Sequence, residues 1–85
     1  MKVQVLYFAY LREQLGFDQE AVELPETVRT VGALREWLVA KGEPYADAFA
    51  NLKRIRAARN EELCTDDAVL EAGDVIAFFP PVTGG

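Results

Sequence analysis

The 85 residues are 51% hydrophobic and 27% charged, enough for one folded domain with its own core and unlike a disordered acidic segment. Nine basic against fourteen acidic residues leave a formal charge of −5, which disfavours nucleic-acid binding and suits a partner with a basic docking surface. Histidine is absent, so imidazole catalysis and the common histidine metal sites are excluded, and no metal-loop spacing or Gly-rich phosphate loop occurs.

The chain opens on Lys2 to Phe8, a run that alternates like a strand, with Val3, Val5 and Tyr7 on one face and Leu6 and Phe8 on the other. This start has no signal-peptide pattern, and no apolar run approaches the ~20 residues of a membrane helix. A lone cysteine fits a reducing compartment, so the expected location is the cytoplasm, without membrane contact. Tyr10 to Leu15 reads as a short helix stopped by Gly16, and Ala21 to Leu24 as a second strand closed by Pro25. Thr30 is the expected N-cap of a principal helix running to Lys41, with Val31, Leu34, Trp37 and Leu38 on its core stripe and Arg35 off it. Residues 44–52 read as a short helical or irregular connection.

Ile55 to Arg59 predicts a third strand, with Arg54 and Arg56 sharing one solvated face. A turn at Asn60-Glu61 leads to a brief strand about Leu63, and Asp66-Asp67 begins another turn. Glu71 to Asp74 makes the bend into the last strand, Val75 to Phe79. The order β-(short α)-β-α-β-β-β predicts an α+β fold: one principal helix across a mixed sheet, with the first and last strands side by side at its centre.

Pro80 and Pro81 donate no ladder hydrogen bonds, so the sheet should end near Phe79. The expected division is a body over residues 1–80 and an extended tail over 81–85, Pro81-Val82-Thr83-Gly84-Gly85. Fully extended, that tail reaches roughly 16–18 Å at ~3.3–3.6 Å per residue, enough to enter a neighbouring subunit. Glycines bury nothing and are costly to order, but they leave the Gly85 carboxylate slim and open to attack. Cys64 has no basic or histidine sequence neighbour to activate it and reads as a small, buried or half-buried side chain. Phe8, Leu63, Phe78 and Phe79 put large apolar groups at odd and even strand positions, more than one helix can cover on both faces, which marks a protein interface.

The run Phe78-Phe79-Pro80-Pro81-Val82-Thr83-Gly84-Gly85, preceded by Gly73-Asp74-Val75, resembles the end of the small subunits of molybdopterin synthase. Val5 to Glu13, Thr30 to Leu34 and Asn60 are similar to that family as well. The resemblance covers the whole chain and implies a ubiquitin-like β-grasp fold. It implies that an adenylating and sulfurating enzyme, using ATP with Mg, converts the Gly85 carboxylate to an acyl-adenylate and then to a thiocarboxylate. It further implies that the tail residues Pro81, Val82, Thr83 and Gly84 insert into the large synthase subunit, where sulfur passes to cyclic pyranopterin monophosphate. Phe8, Leu63 and Phe79 would grip that subunit in a heterotetramer of two small and two large chains. The chain itself would bind no cofactor or metal and have no active site of its own. Two alternatives stand beside this reading: a carrier for thiamine synthesis or protein modification, and a non-reactive module whose Pro-rich end binds a groove.

Overall fold

A computed structural model describes residues 1–50 and 54–81. Its elements are β1 (Lys2–Tyr7), α1 (Tyr10–Leu15), β2 (Gln19–Glu23), α2 (Val31–Val39), α3 (Tyr45–Ala48), β3 (Arg56–Arg59), β4 (Glu62–Cys64) and β5 (Val75–Phe79). The strands form one sheet in the order β2-β1-β5-β3-β4. β1 and β5 lie side by side within it, as their hydrophobicity predicts, and run parallel, while the other neighbours are antiparallel.

Alternation decides which face is covered. Val3, Val5 and Tyr7 of β1, Val22 of β2, Ala57 of β3, and Ile76 and Phe78 of β5 are buried in one cluster with Val31, Leu34 and Leu38 of α2. Phe49 stands edge-on to both Tyr7 and Phe78, closing the core beside α3. Thr30 caps α2 as expected, its Oγ1 accepting from the Ala33 amide at 3.1 Å. The next two amides are taken up by the 65–68 segment: Val31 N donates to Ala68 O and Gly32 N to Asp66 O. That approach is why residue 32 is glycine, since a Cβ there would stand 3.0 Å from the Asp66 Cβ. Gly16 ends α1 in the left-handed region (φ 86°), its amide donating to Arg12 O.

Several boundaries and two burials differ from the sequence reading. β2 spans Gln19–Glu23 because antiparallel register pulls Gln19 and Glu20 into the ladder opposite Leu6 and Val5. α2 ends at Val39, and tighter bonds from Lys41 N to Leu38 O and Gly42 N to Val39 O finish the turn. β3 begins at Arg56, which pairs with Phe79. A residue before Arg56 would face Pro80, which has no amide to offer, so Arg54 lies outside the strand and does not share its face.

Arg35 is buried, contrary to its expected place off the core stripe. Its Nη1 donates to Ile55 O at 2.6 Å, its Nε pairs with Asp66 at 2.8 Å, and its guanidinium lies 5.4 Å from the Phe78 ring centroid. A carbonyl, a carboxylate and an aromatic face together make burial of this cation tolerable. Trp37, expected in the core, stands half-buried at its margin with the Lys41 ammonium 4.9 Å from its ring.

Candidate functional site

The sheet face turned away from α2 carries apolar side chains with no helix to cover them. Register sets them in rows: Leu6 pairs with Ala77, Ala77 with Ala58, and Ala58 with Leu63. One step toward the end of β5, the Phe8 amide donates to Phe78 O at 3.1 Å, which holds Phe8 beside the strand end. The alanines are low and the phenylalanines tall, so the face dips into a hollow of about 750 Å³. Leu6, Phe8, Ala77, Phe79, Pro80 and Pro81 line it, and Glu61 stands among the lining residues with Val75.

Phe8 and Phe79, two of the three residues that the resemblance assigns to the interface, therefore meet at one hollow, whereas Phe78, expected among the uncovered apolar groups, points to the helix-covered face and is buried. Leu63 shares the face but lies on the edge strand, separated from β5 by β3, and does not line the hollow. Phe8 is 47% and Leu63 72% exposed, while Phe79 is half-buried. Large apolar groups left open in register on one face are the signature of a surface that another protein covers.

The root of the tail sits at the rim of this hollow. Pro80 and Pro81 line it, and they also line a second hollow of about 410 Å³ with Tyr10, Gln14, Asp47 and Arg54. The remaining tail residues of the sequence reading, Val82, Thr83, Gly84 and Gly85, lie outside the described residues.

A polar knot fixes the opposite end of β5. Asn60 and Glu61 turn the chain at φ 50° and 71°. Asp74 is buried and accepts from Arg59 Nε (2.7 Å), Asn60 Nδ2 (3.0 Å) and the Glu71 amide (2.8 Å). Asn60 Oδ1 in turn accepts from the Val75 amide at 2.9 Å. Burial alone pushes the Asp74 carboxyl up, but donation from Asn60, Arg59 and the Glu71 amide outweighs it and holds the acid below its ordinary range. The carboxylate is thus a permanent acceptor at neutral pH, and it pins the β3–β4 turn to the start of β5.

Cys64 is half-buried, and burial pushes its thiol up against the partial pull of Arg35 and Arg59. It is not an activated nucleophile. Among the described residues no group of three or more His, Cys, Asp or Glu side chains could hold a metal, and no helix is long and apolar enough to cross a membrane.

On the helix-bearing side, Glu20 Oε2 accepts from Tyr7 at 2.8 Å and from Tyr45 at 2.7 Å, an arrangement that the sequence reading did not anticipate. Burial, then the Glu20 hydrogen bond and charge, raises both phenols, Tyr45 to about 12. A phenol whose folded pKa is raised contributes stability that is complete below its ordinary value of 10 and lost as pH rises through the folded value. Urea unfolding midpoints should therefore hold up to about pH 10 and fall between about 10 and 12. Midpoints that stay level through that window would count against the shared Glu20 acceptor.

The sequence matches the ThiS family over residues 5–85. It is similar to the molybdopterin synthase sulfur carrier subunit of Escherichia coli (strain K12), at 43% identity over 83 residues that cover 98% of this chain and 99% of that protein. Among solved structures it superimposes on SAMP1 from Haloferax volcanii with a TM-score of 0.77 and 28% identity, covering all of both chains. It also superimposes, at a TM-score of 0.68 and 26% identity over all of both chains, on a chain of the Helicobacter pylori complex of subunits 1 and 2 of molybdopterin-converting factor.

Proposed function

The chain belongs to the ThiS family, and from that membership we infer that it is the sulfur carrier subunit of molybdopterin synthase. The observation that carries the reading is the full-length match to a curated carrier subunit of that name. The open sheet face, which leads straight to the root of the tail, supports it.

In this function residues 1–80 are the body and 81–85 the reactive arm. A carboxylate resists nucleophilic attack because its oxygen is a poor leaving group. An adenylating partner, which binds ATP with Mg, lets the Gly85 carboxylate attack the α-phosphate and expel pyrophosphate, and a sulfur nucleophile then displaces AMP from the acyl-adenylate to leave a thiocarboxylate. Pro81 stiffens the arm, while Val82, Thr83 and Gly84 pass it into the large subunit's pocket. There the thiocarboxylate sulfur bonds to cyclic pyranopterin monophosphate, water cleaves the acyl–sulfur bond and returns the Gly85 carboxylate, and two such transfers build the dithiolene. Phe8 and Phe79 seat the body on the large subunit, with Leu63 at the margin, in an assembly of two small and two large chains. The cytoplasm, where thiols stay reduced, is the compartment for this chemistry.

Reconstitution tests the reading. Thiocarboxylated protein mixed with the molybdopterin synthase large subunit and the pterin precursor should yield molybdopterin, and the unthiolated protein should not. If the loaded protein forms none, the assignment to this pathway is lost.

A further inference from the structure

The open sheet face is apolar in its middle but charged at its two ends. At the tail end, Arg56 pairs in register with Phe79 and is exposed on the same face. At the other end Glu61, also exposed, lines the hollow beside Val75. Asn60 N bonds to Val75 O, so the Arg56-to-turn distance is four strand steps, or about 13 Å. Among the described residues neither side chain is in an ion pair.

Of the other charges nearby, those of Arg59 and Glu23 are in ion pairs. Arg59 binds Asp74 and Glu71. On the far edge Lys2 faces Glu23 across the β1–β2 ladder, and Glu23 lies 3.2 Å from the α-amino group of Met1. Arg54, on the other side of the tail root, shares its hollow with Asp47.

Apolar contact is non-directional, so the alanine-floored hollow by itself accepts a partner in more than one orientation. The tail, however, must enter a pocket from one side only. We propose that Arg56 and Glu61 form an electrostatic register that fixes which way round the partner docks. The partner it fits is a large subunit whose apolar patch is flanked by an acidic side chain where Arg56 lands and a basic one where Glu61 lands. Complementary charge placed this way speeds correct encounter and disfavours the reversed one. The inference rests on the carrier reading above and adds the charge pattern of the partner to it.

Stopped-flow association with the large subunit distinguishes the two. Wild type, R56E, E61K and the double variant R56E/E61K would be compared at roughly 0.01 M and roughly 1 M salt, where charges are felt over about 30 and about 3 Å. Each single reversal should slow association about three- to tenfold at low salt, the double variant more, with all rates converging at high salt. The milder R56Q should show a smaller slowing, and it serves if R56E proves unfolded by circular dichroism. Wild-type binding with rates untouched by these changes overturns the register and leaves the carrier reading intact. Absence of any wild-type association overturns both.

Discussion

One alanine appended after Gly85 should abolish sulfur loading while docking to the large subunit persists. The added residue moves the carboxylate about 3.3–3.6 Å further along the arm and places a methyl group beside it. Acyl activation needs near-attack geometry, and displacement by even 1 Å costs on the order of 10²-fold. A loss of about 10³-fold or more is therefore expected in the rate of thiocarboxylate formation. Intact mass spectrometry after incubation with the adenylating enzyme, ATP and a sulfur source reads it directly, as exchange of oxygen for sulfur. The body is untouched, so affinity for the large subunit should drop far less than loading. An extended protein that loads at the wild-type rate would remove Gly85 as the reacting group.

Adjacent phenylalanines give the second large effect, and they should behave oppositely. Phe78 is fully buried, edge-on to Phe49 at 5.2 Å and beneath the Arg35 guanidinium. Phe78→Ala opens a cavity and removes the ring that faces a buried cation, for a loss of about 3–5 kcal/mol of folding stability. Phe79 is on the open face, so Phe79→Ala should leave the urea midpoint near the wild-type value. It should instead weaken large-subunit binding by about 1–3 kcal/mol, as an apolar anchor does. Urea melts and a binding isotherm on each variant check both halves. A destabilised Phe79→Ala protein with normal affinity would place that ring in the intramolecular core.

Much of this architecture was legible in local pattern. Val3, Val5 and Tyr7 against Leu6 and Phe8 is a two-residue period, and the fold buries the first set and opens the second. Thr30 and Gly16 act where short-range rules put them, because capping depends on only a few neighbouring residues. Arg35 was not legible, since its burial depends on Ile55, Asp66 and Phe78, which the fold alone brings to it. The Tyr7–Glu20–Tyr45 group escaped for the same reason: Tyr7 reads as an ordinary strand residue, Glu20 falls just before the expected second strand, and Tyr45 lies in the 44–52 connection. At the site, the apolar character of Phe8, Leu63 and Phe79 was visible one residue at a time. Their arrangement was not, because strand order and register decide that Phe8 meets Phe79 and that Leu63 stands apart. Arg54 and Arg56 looked alike in the alternation, yet a proline on the neighbouring strand separates them.

The parallel pairing of β1 with β5 joins the first strand of the sheet in chain order to the last, Gln4 standing opposite Val75. During translation β1 can gain its β2 neighbour early, but its central partner β5 is made only after α2, β3 and β4. Contacts so distant in sequence delay folding until the chain can close on itself. A nascent or prematurely stopped chain without β5 lacks both the tail root and Phe79, and with them the docking hollow. A partner that recognises this sheet face would therefore meet it only on chains in which β5 has already joined β1.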